Sequence, residues 1–280
     1  MAAPVGQAAA GVVLVGGRSS RMGTAKAALE WHGSTLLRRT LGILARAVDG
    51  PLLVVRAPDQ PLPEIPPQVQ VVADPEPGLG PLQGIAAGLA ALAGQAHAAF
   101  VCSTDLPFLH PAFVRRVLAA LTDGLDVVLP VARGYPQPLA AAYRIALAPL
   151  VAELVAAGHL RPPLLFQRCA TLLLDEAALL TDPVLASADP ALDSVINVNS
   201  PDDYHAARRH AAPQVTVLRR DYGGACTVRA ATLFGAAAAV GLTLDSHLIV
   251  ALNGIQISCH GDVPLVGGDT ITFACTDGGR

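Results

Sequence analysis

Short apolar runs recur along the first two hundred residues, and each run gives way to glycine, proline or polar residues. Runs that are apolar throughout are typical of strands buried on both faces. We predict such strands at residues 11–15, 51–56, 69–72, 98–102 and 126–131. Amphipathic helical patterns separate them, at residues 34–48, 83–92 and 146–158. Alternating strands and helices predict an α/β fold, a Rossmann-like and mostly parallel sheet with helices on both faces.

A second pattern begins after Pro213. Its predicted strands are at residues 215–218, 226–230, 247–252, 255–258 and 270–275, and an alanine-rich helix covers 231–241. Asn253-Gly254 between two of these strands is a type I′ hairpin signal. We therefore expect a small α+β domain over residues 215–280 and a linker over 207–214. The α/β domain would cover residues 11–206, and residues 1–10 would be a disordered leader.

Composition narrows the classes of protein. The chain has 280 residues, of which 52% are hydrophobic and 15% charged, and its net charge is −3. The basic residues are scattered, which argues against nucleic-acid binding, because that function needs a clustered basic face. The alanine-rich region over residues 85–101 is interrupted by polar residues and glycines, so we expect no membrane span. The N-terminal segment lacks the positive charge of a secretory signal, and we expect a cytoplasmic protein.

A glycine-rich, hydroxyl-rich and basic loop follows the first predicted strand and ends near Lys26. Glycines let the backbone approach a ligand closely, and exposed N–H groups can point at anionic oxygens, so the loop suits phosphates. Lys26 is the only lysine in the chain. Lysine is a compact point charge that can follow a moving phosphate, whereas arginine prefers a fixed planar geometry. We predict that Lys26 binds phosphate; the alternative is a solvated loop lysine.

Two familiar glycine loops do not fit the spacing. A Walker loop places lysine directly after its second glycine, whereas Thr24 and Ala25 stand between Gly23 and Lys26. The dinucleotide pattern G-x-G-x-x-G is not supplied by Gly16, Gly17 and Gly23 either. The loop is therefore predicted to bind phosphates in another way.

Two carboxylates also follow predicted strands. Asp74 and Asp105 should lie with the glycine loop at the edge formed by the carboxyl ends of the strands, where ligands bind in such sheets. Asp105 is the predicted ligand of a Mg²⁺ ion that a triphosphate would bring; the alternative is the N-cap of the next helix. Asn197 and Asn199 alternate on a predicted strand and could both face a polar ligand, or could be turn residues before a helix.

The loop Leu14-Val15-Gly16-Gly17-Arg18-Ser19-Ser20-Arg21-Met22-Gly23-Thr24-Ala25-Lys26 resembles that of the molybdenum cofactor guanylyltransferases. In that family alanine usually stands where this chain has Val15, and aspartate where it has Ala25. Four later segments resemble the family in the same order: Asp74 with G-P-L-Q-G-I-A-A-G-L, S-T-D-L-P-F-L around Asp105, Q-P-L-A-A-A-Y-R, and N-V-N-S-P-D-D from Asn197. An asparagine that the family places after its second strand is not carried over.

The resemblance implies transfer of GMP from GTP to molybdenum-bound molybdopterin, with release of pyrophosphate. By this matching Lys26, Arg21 and Asp105 are catalytic, and Asp105 holds Mg²⁺. Asn197 and Asn199 would be substrate-binding residues. The implied nucleotide-binding residues are Leu14, Val15, Gly16, Gly17, Lys26, Asp74 and Asp105. Three alternatives remain: a cytidylyltransferase for the same pterin, a sugar-phosphate nucleotidyltransferase, and a non-catalytic nucleotide-binding carrier or adaptor.

The C-terminal pattern resembles the ubiquitin-like β-grasp sulfur carriers of molybdopterin and thiamine synthesis. The shared features are the N-G hairpin, the strand that begins G-D-T-I-T-F, and the pair Gly278-Gly279. In those carriers the terminal glycine carboxylate is activated and becomes a thiocarboxylate, whereas here Arg280 follows Gly279. The resemblance implies one of two roles. The domain is a sulfur carrier whose Gly279 carboxylate is freed by removal of Arg280, or it is a docking module for other proteins of molybdenum cofactor biosynthesis.

Overall fold

The computed structural model describes residues 8–15, 26–74, 78–219 and 224–275. The chain divides into two compact units. The first comprises Met1–Leu29 and Thr35–Tyr204, and the second comprises Glu30–Ser34 and His205–Arg280.

The strands and helices are numbered in chain order. The strands β1 to β15 are Ala9–Leu14, Glu30–Trp31, Ser34–Thr35, Leu52–Arg56, Gln70–Ala73, Ala98–Ser103, Val127–Ala132, Tyr135–Pro136, Ala140–Arg144, Thr171–Asp175, Gln214–Arg219, Gly224–Arg229, Leu248–Leu252, Ile255–Ile257 and Thr270–Cys275. The helices α1 to α9 are Leu36–Ala45, Pro81–Ala91, Pro111–Ala119, Ala148–Ala156, Pro162–Phe166, Glu176–Leu179, Pro183–Ala188, Pro201–Arg209 and Leu233–Ala239. Short 3₁₀ helices are Lys26–Ala28, Ile145–Leu147 and Asp193–Val195. None of the described helices combines the length and apolar character needed to traverse a lipid bilayer.

The first unit is built on an eight-stranded sheet with the order β10-β7-β9-β6-β1-β4-β5, and β8 pairs with β7. Strands β6, β1, β4 and β5 are parallel to one another, and β10 is parallel to β7. Strand β9 is antiparallel to both β6 and β7, so β7 and β10 run in the same direction as β6. The predicted α/β fold with a mostly parallel sheet is confirmed. All these parallel strands end at one edge, called here the carboxyl edge.

Helix α2 packs closely against the centre of this sheet because two glycines face it. A Cβ atom on Gly88 would lie 3.0 Å from Cγ1 of Val12 in β1. A Cβ atom on Gly84 would lie 3.2 Å from Cδ1 of Leu14, the last residue of that strand. Absence of these side chains lets α2 approach the end of β1, and its buried leucine and isoleucine side chains join the core of β1, β4 and β6.

Strand β1 begins earlier than predicted. Ala9 and Ala10 pair with Ala98 and Ala99 of β6, and the amide of Gly50 donates to the Ala9 carbonyl at 2.8 Å. Residues 8–10 are therefore ordered parts of the sheet unit, not of a disordered leader, and residues 1–7 lie outside the described part of the chain. The apolar signal did not extend to them because two alanines are too small to mark a buried strand.

Other boundaries also differ from the prediction. Helix α8 continues to Arg209, β11 begins at Gln214, and the second unit already begins at His205, so the residues of the predicted linker over 207–214 belong to the second unit. Strands β9 and β10 were not predicted. The sequence of β9, Ala-Ala-Ala-Tyr-Arg, has little β propensity, and burial between β6 and β7 determines its conformation.

The second unit contains a five-stranded sheet with the order β12-β11-β15-β13-β14. Strands β11 and β15 are parallel, and the other neighbouring pairs are antiparallel. Helix α9 and the sheet share a core whose fully buried members include Val217, Leu233 and Phe273. The predicted hairpin turn is confirmed, since φ is 52° at Asn253 and 83° at Gly254, as a type I′ turn requires.

Gly50 offers a test of the early start of β1. A Cβ atom at this position would lie 2.7 Å from the Ala9 carbonyl oxygen, a backbone atom that cannot rotate away. We expect Gly50→Ala to lower the free energy of unfolding of the first unit by about 1–3 kcal/mol, measured by urea denaturation followed by circular dichroism. The same substitution at Gly235 meets only ordinary contacts at 3.6 Å and should not destabilise. An unchanged transition for Gly50→Ala would contradict the pairing of residues 8–10.

Candidate active site

Lys26 begins a short 3₁₀ helix directly after the glycine-rich loop. Its Nζ donates to Oδ1 of Asn199 at 3.0 Å and lies 3.5 Å from Oδ2 of Asp105. The Lys26 and Asp105 side chains are 24% and 17% exposed, so the pair is partly shielded but open to a ligand. Three residues that the sequence analysis selected from distant parts of the chain therefore meet at one place.

Two hydrogen bonds hold Asp105 in position. It follows β6 at the carboxyl edge, and Oγ of Ser103 donates to its Oδ1. Its backbone carbonyl accepts a hydrogen bond of 2.9 Å from the amide of Val198.

Helix α3 begins only at Pro111, and Nδ1 of His110 caps it by accepting from the amide of Ala112. The alternative interpretation of Asp105 as the cap of that helix is therefore wrong.

The strand predicted at the two asparagines is absent from the structure. The segment that carries them follows the 3₁₀ helix Asp193–Val195 and bonds to the Asp105 carbonyl through Val198, instead of forming a ladder. Val198 is buried, and Asn197 and Asn199 on either side of it are exposed, so the predicted alternation is present. Asn199 contacts Lys26, whereas the side-chain amide of Asn197 donates to the carbonyl of Val195 at 3.2 Å.

A hydrogen-bonded cap fixes the backbone beside Asn199. Oδ2 of Asp203 accepts from the amides of Asn199 and Ser200 at 3.0 and 2.9 Å, and the Asp203 amide donates to Oγ of Ser200. Hydrogen bonds to the carboxylate from the Asn199 amide, the Ser200 side chain and the Ser200 amide, helped by the positive charge of Lys26, lower the pKa of the Asp203 carboxyl below its ordinary value. Sequence reasoning did not assign Asp203 to the site, although a serine followed three residues later by an acidic residue is a readable capping signal.

The other half of the carboxyl edge carries the remaining predicted residues. Asp74 directly follows β5, and its amide donates to the carbonyl of Arg56 at the end of β4. Leu14 and Val15 are buried at the end of β1. The carbonyl of Val15 accepts a hydrogen bond of 3.0 Å from Nε2 of Gln60, a residue that the sequence analysis did not select.

Several predicted site residues lie outside the described part of the chain. They are Gly16, Gly17, Arg21, Gly278 and Gly279. Their roles stay predictions, as do the nucleotide contacts of Leu14, Val15 and Asp74.

The arrangement suits chemistry on phosphorylated substrates. A lysine that can exchange partners stands beside a carboxylate, at the edge of a parallel sheet where ligands of α/β proteins bind. Lysine can neutralise phosphate oxygens, and a carboxylate can hold a divalent cation that accompanies them. Fold and site together define an enzyme of the nucleotide-binding α/β class.

Comparison with known proteins identifies the family. The profile of the MobA-like NTP transferase domain matches residues 11–171, and the chain belongs to this family. It is therefore a nucleotidyltransferase. The chain is 41% identical over 202 residues to the probable molybdenum cofactor guanylyltransferase of Mycobacterium tuberculosis H37Rv, a match that covers 70% of this chain and 92% of that protein.

Solved structures agree in fold. Molybdopterin-guanine dinucleotide biosynthesis protein A from Archaeoglobus fulgidus superposes with a TM-score of 0.56 at 22% identity, over 71% of this chain and 96% of that one. A nucleotidyl transferase from Methanothermobacter thermautotroptrophicus gives a TM-score of 0.52 at 21% identity, over 73% and 98%. The first unit thus has the fold of solved nucleotidyltransferase-like proteins.

The lowered pKa of Asp203 leads to a prediction about how stability depends on pH. Because the folded-state pKa of Asp203 is lowered from 3.8, the stabilisation is present above that value and is lost as the pH falls through the lowered pKa. A carbon-13 NMR titration of the wild-type protein should give Asp203 a pKa below 3.8. Ser200→Ala removes one donor and should raise it. A wild-type value at or above the ordinary one would contradict the hydrogen-bonded cap.

Proposed function

We propose that this protein transfers GMP from GTP to molybdenum-bound molybdopterin, giving the guanine dinucleotide form of the cofactor and pyrophosphate. The observation that carries the proposal is the meeting of Lys26, Asp105 and Asn199 at the carboxyl edge. The name of the mycobacterial relatives, at 41% identity over 92% of their length, supports guanine as the base and molybdopterin as the acceptor.

The reaction forms one phosphorus–oxygen bond and breaks another. An oxygen of the terminal phosphate of the pterin attacks the α-phosphorus of GTP, and the bond to the departing pyrophosphate breaks. The protein contributes orientation and charge neutralisation. In this proposal Lys26 moves from its partners Asp105 and Asn199 to the oxygens of the leaving pyrophosphate, assisted by Arg21.

The remaining predicted residues divide between the two substrates. Asn197 and Asn199 face the pterin side in this proposal, on the segment tied to Asp105. The nucleotide side comprises Leu14, Val15, Gly16, Gly17 and Asp74, which lie at or follow the ends of β1 and β5.

Asp105 is the residue that would hold a divalent cation, proposed to be Mg²⁺. Its carboxylate is partly exposed at the carboxyl edge, and Ser103 orients one oxygen. The donor set fits, since Mg²⁺ is usually bound through one or two carboxylates, with water and substrate phosphates completing its shell. When bound, the ion supplies positive charge that offsets the charge of the triphosphate.

For the C-terminal unit we propose a β-grasp fold of the sulfur-carrier type. Its strand order is β12-β11-β15-β13-β14. The two central strands, β11 and β15, are the first and last of this sheet in sequence and are parallel to each other, which supports this fold. Gly278-Gly279 would be the reactive tail once Arg280 is removed. Other proteins of molybdenum cofactor biosynthesis would then be its partners.

The enzymatic proposal is tested with GTP, Mg²⁺ and molybdenum-bound molybdopterin. We expect wild-type protein to release pyrophosphate and form the guanine dinucleotide. Lys26→Ala should lower turnover on the order of 10²–10³-fold, the scale for one preorganised electrostatic contact, and Asp105→Asn should also lower it. Arg209→Ala, which removes an exposed cation in the second unit, serves as control.

The other outcomes of this assay would contradict either the role of Lys26 or the proposed reaction. Turnover of Lys26→Ala within about tenfold of wild type would contradict the catalytic role of the lysine. Preference for CTP would indicate a cytidylyltransferase. Nucleotide binding without any pyrophosphate release would indicate a carrier or adaptor protein.

The carrier proposal makes a separate prediction. Intact-protein mass spectrometry of the chain purified from its native source should detect a form that lacks Arg280, because only a free Gly279 carboxylate can be activated. A chain that always retains Arg280 would contradict the carrier role, and the C-terminal unit would then be interpreted as a docking module.

A further inference from the structure

The pairing of β1 and β4 stops in an unusual way at the carboxyl edge. The strands are parallel, Leu14 is opposite Val55, and the amide of Val15 donates to the carbonyl of Val55 at 2.8 Å. A parallel ladder would continue with the amide of Ala57 donating to the carbonyl of Val15. Instead the Ala57 amide donates to Oε1 of Gln60 at 3.1 Å, and Nε2 of Gln60 donates to the Val15 carbonyl at 3.0 Å.

The side-chain amide of Gln60 therefore takes the place of direct contact between two peptide groups. It satisfies the same donor and the same acceptor, but it adds the width of an amide group between them. The ends of β1 and β4 are joined through this amide instead of directly. It also fixes the direction of the Val15 carbonyl, and hence the point where the chain leaves β1 towards the glycine-rich loop.

A tight turn brings Gln60 back to the strand end. The amide of Gln60 donates to the carbonyl of Ala57 at 3.2 Å, which closes a four-residue turn. Pro58 presets the second position of this turn, and Asp59 has φ of 56° at the third, as a type II turn requires. The guanidinium of Arg56 donates to the carbonyl of Gln60. The turn is thus fixed in both backbone conformation and hydrogen bonding.

The bridge that Gln60 forms between β1 and β4 lies in the middle of the carboxyl edge. Strand β1 has β6 on one side, which leads to Asp105, and β4 on the other, followed by β5 and Asp74. A nucleoside triphosphate whose phosphates lie at Lys26 and Asp105 would extend along this edge past the ends of β1 and β4. The groups that Gln60 orients therefore lie where its nucleoside part would bind.

We propose that Gln60 is a positioning residue for the nucleoside part of the nucleotide substrate, acting through the Val15 carbonyl and the bridge between the ends of β1 and β4. This inference rests on the proposed function for the identity of the nucleotide. Gln60 does not touch the reacting phosphates, so it affects binding of the nucleotide and not the chemical step.

Two variants of Gln60 distinguish a role in positioning the nucleotide from a role in folding. Gln60→Glu keeps the shape and the acceptor for Ala57 but has no donor for Val15, so two oxygens would face each other. Gln60→Met keeps the length and removes both bonds. We expect each variant to raise KM and the dissociation constant for GTP by about tenfold, the scale of one lost partly buried hydrogen bond, with kcat within about threefold. Gln256→Glu, at an exposed position of β14, serves as the matched control.

The outcomes are distinguishable. Loss of folded protein lowers the active fraction and therefore kcat, but leaves KM unchanged, so a rise in KM identifies positioning. If wild-type protein binds GTP by calorimetry and both variants bind it equally well, the role of Gln60 is refuted and the proposed function stands. If wild-type protein binds no GTP, both fail together.

Discussion

The ammonium group of Lys26 joins two chain segments that lie 79 and 173 residues away in sequence. A lysine–carboxylate pair with partial exposure contributes only about 0–1 kcal/mol to stability, so this contact does little to hold the fold. Its weakness suits its chemistry, because a cation that is lightly held can exchange a carboxylate and an amide oxygen for phosphate oxygens. The surrounding structure must therefore keep the three side chains together while leaving Lys26 free to move.

The segment over residues 189–203 meets this requirement. The Asp189 carboxylate accepts from the amides of Asp193 and Ser194, and Oγ of Ser194 accepts from the amide of His110. Further along, Val198 donates to the carbonyl of Asp105, and the Asp203 cap fixes the amide of Asn199. A chain segment without a strand partner is thus tied at several points to the loop after β6, and it carries Asn199 to Lys26.

Much of this site could be predicted from the sequence, for a topological reason. Parallel strands place their carboxyl ends at one edge, so residues that directly follow apolar runs, such as Asp74 and Asp105, must lie along that edge. Asn199 lies beside Lys26, but its predicted strand is absent, because alternating exposure also occurs in a segment that forms no ladder. The alanine-rich β9 lacked an apolar signal of its own, and its conformation depends on burial by neighbouring strands.

The role of Gln60 could not be predicted from the sequence, for a different reason. Its neighbours Pro58 and Asp59 indicate a turn, yet nothing in their sequence indicates that the fourth side chain returns to a strand end forty-five residues earlier. The role arises only when β1 and β4 are adjacent and both end at the same level.

The carboxyl edge consequently has two parts with different physical character. On the β6 side, side-chain charges on Lys26 and Asp105 can respond to a substrate. On the β1 and β4 side, neutral backbone groups are fixed by the Gln60 amide, and Gly84 and Gly88 bring α2 close behind them. Mobile charge suits phosphates whose bonding changes during a reaction, whereas fixed dipoles suit a nucleoside that is recognised but unchanged. This division follows from what comes after each strand: Asp105 follows β6, whereas the hydrogen-bonded turn that presents Gln60 follows β4.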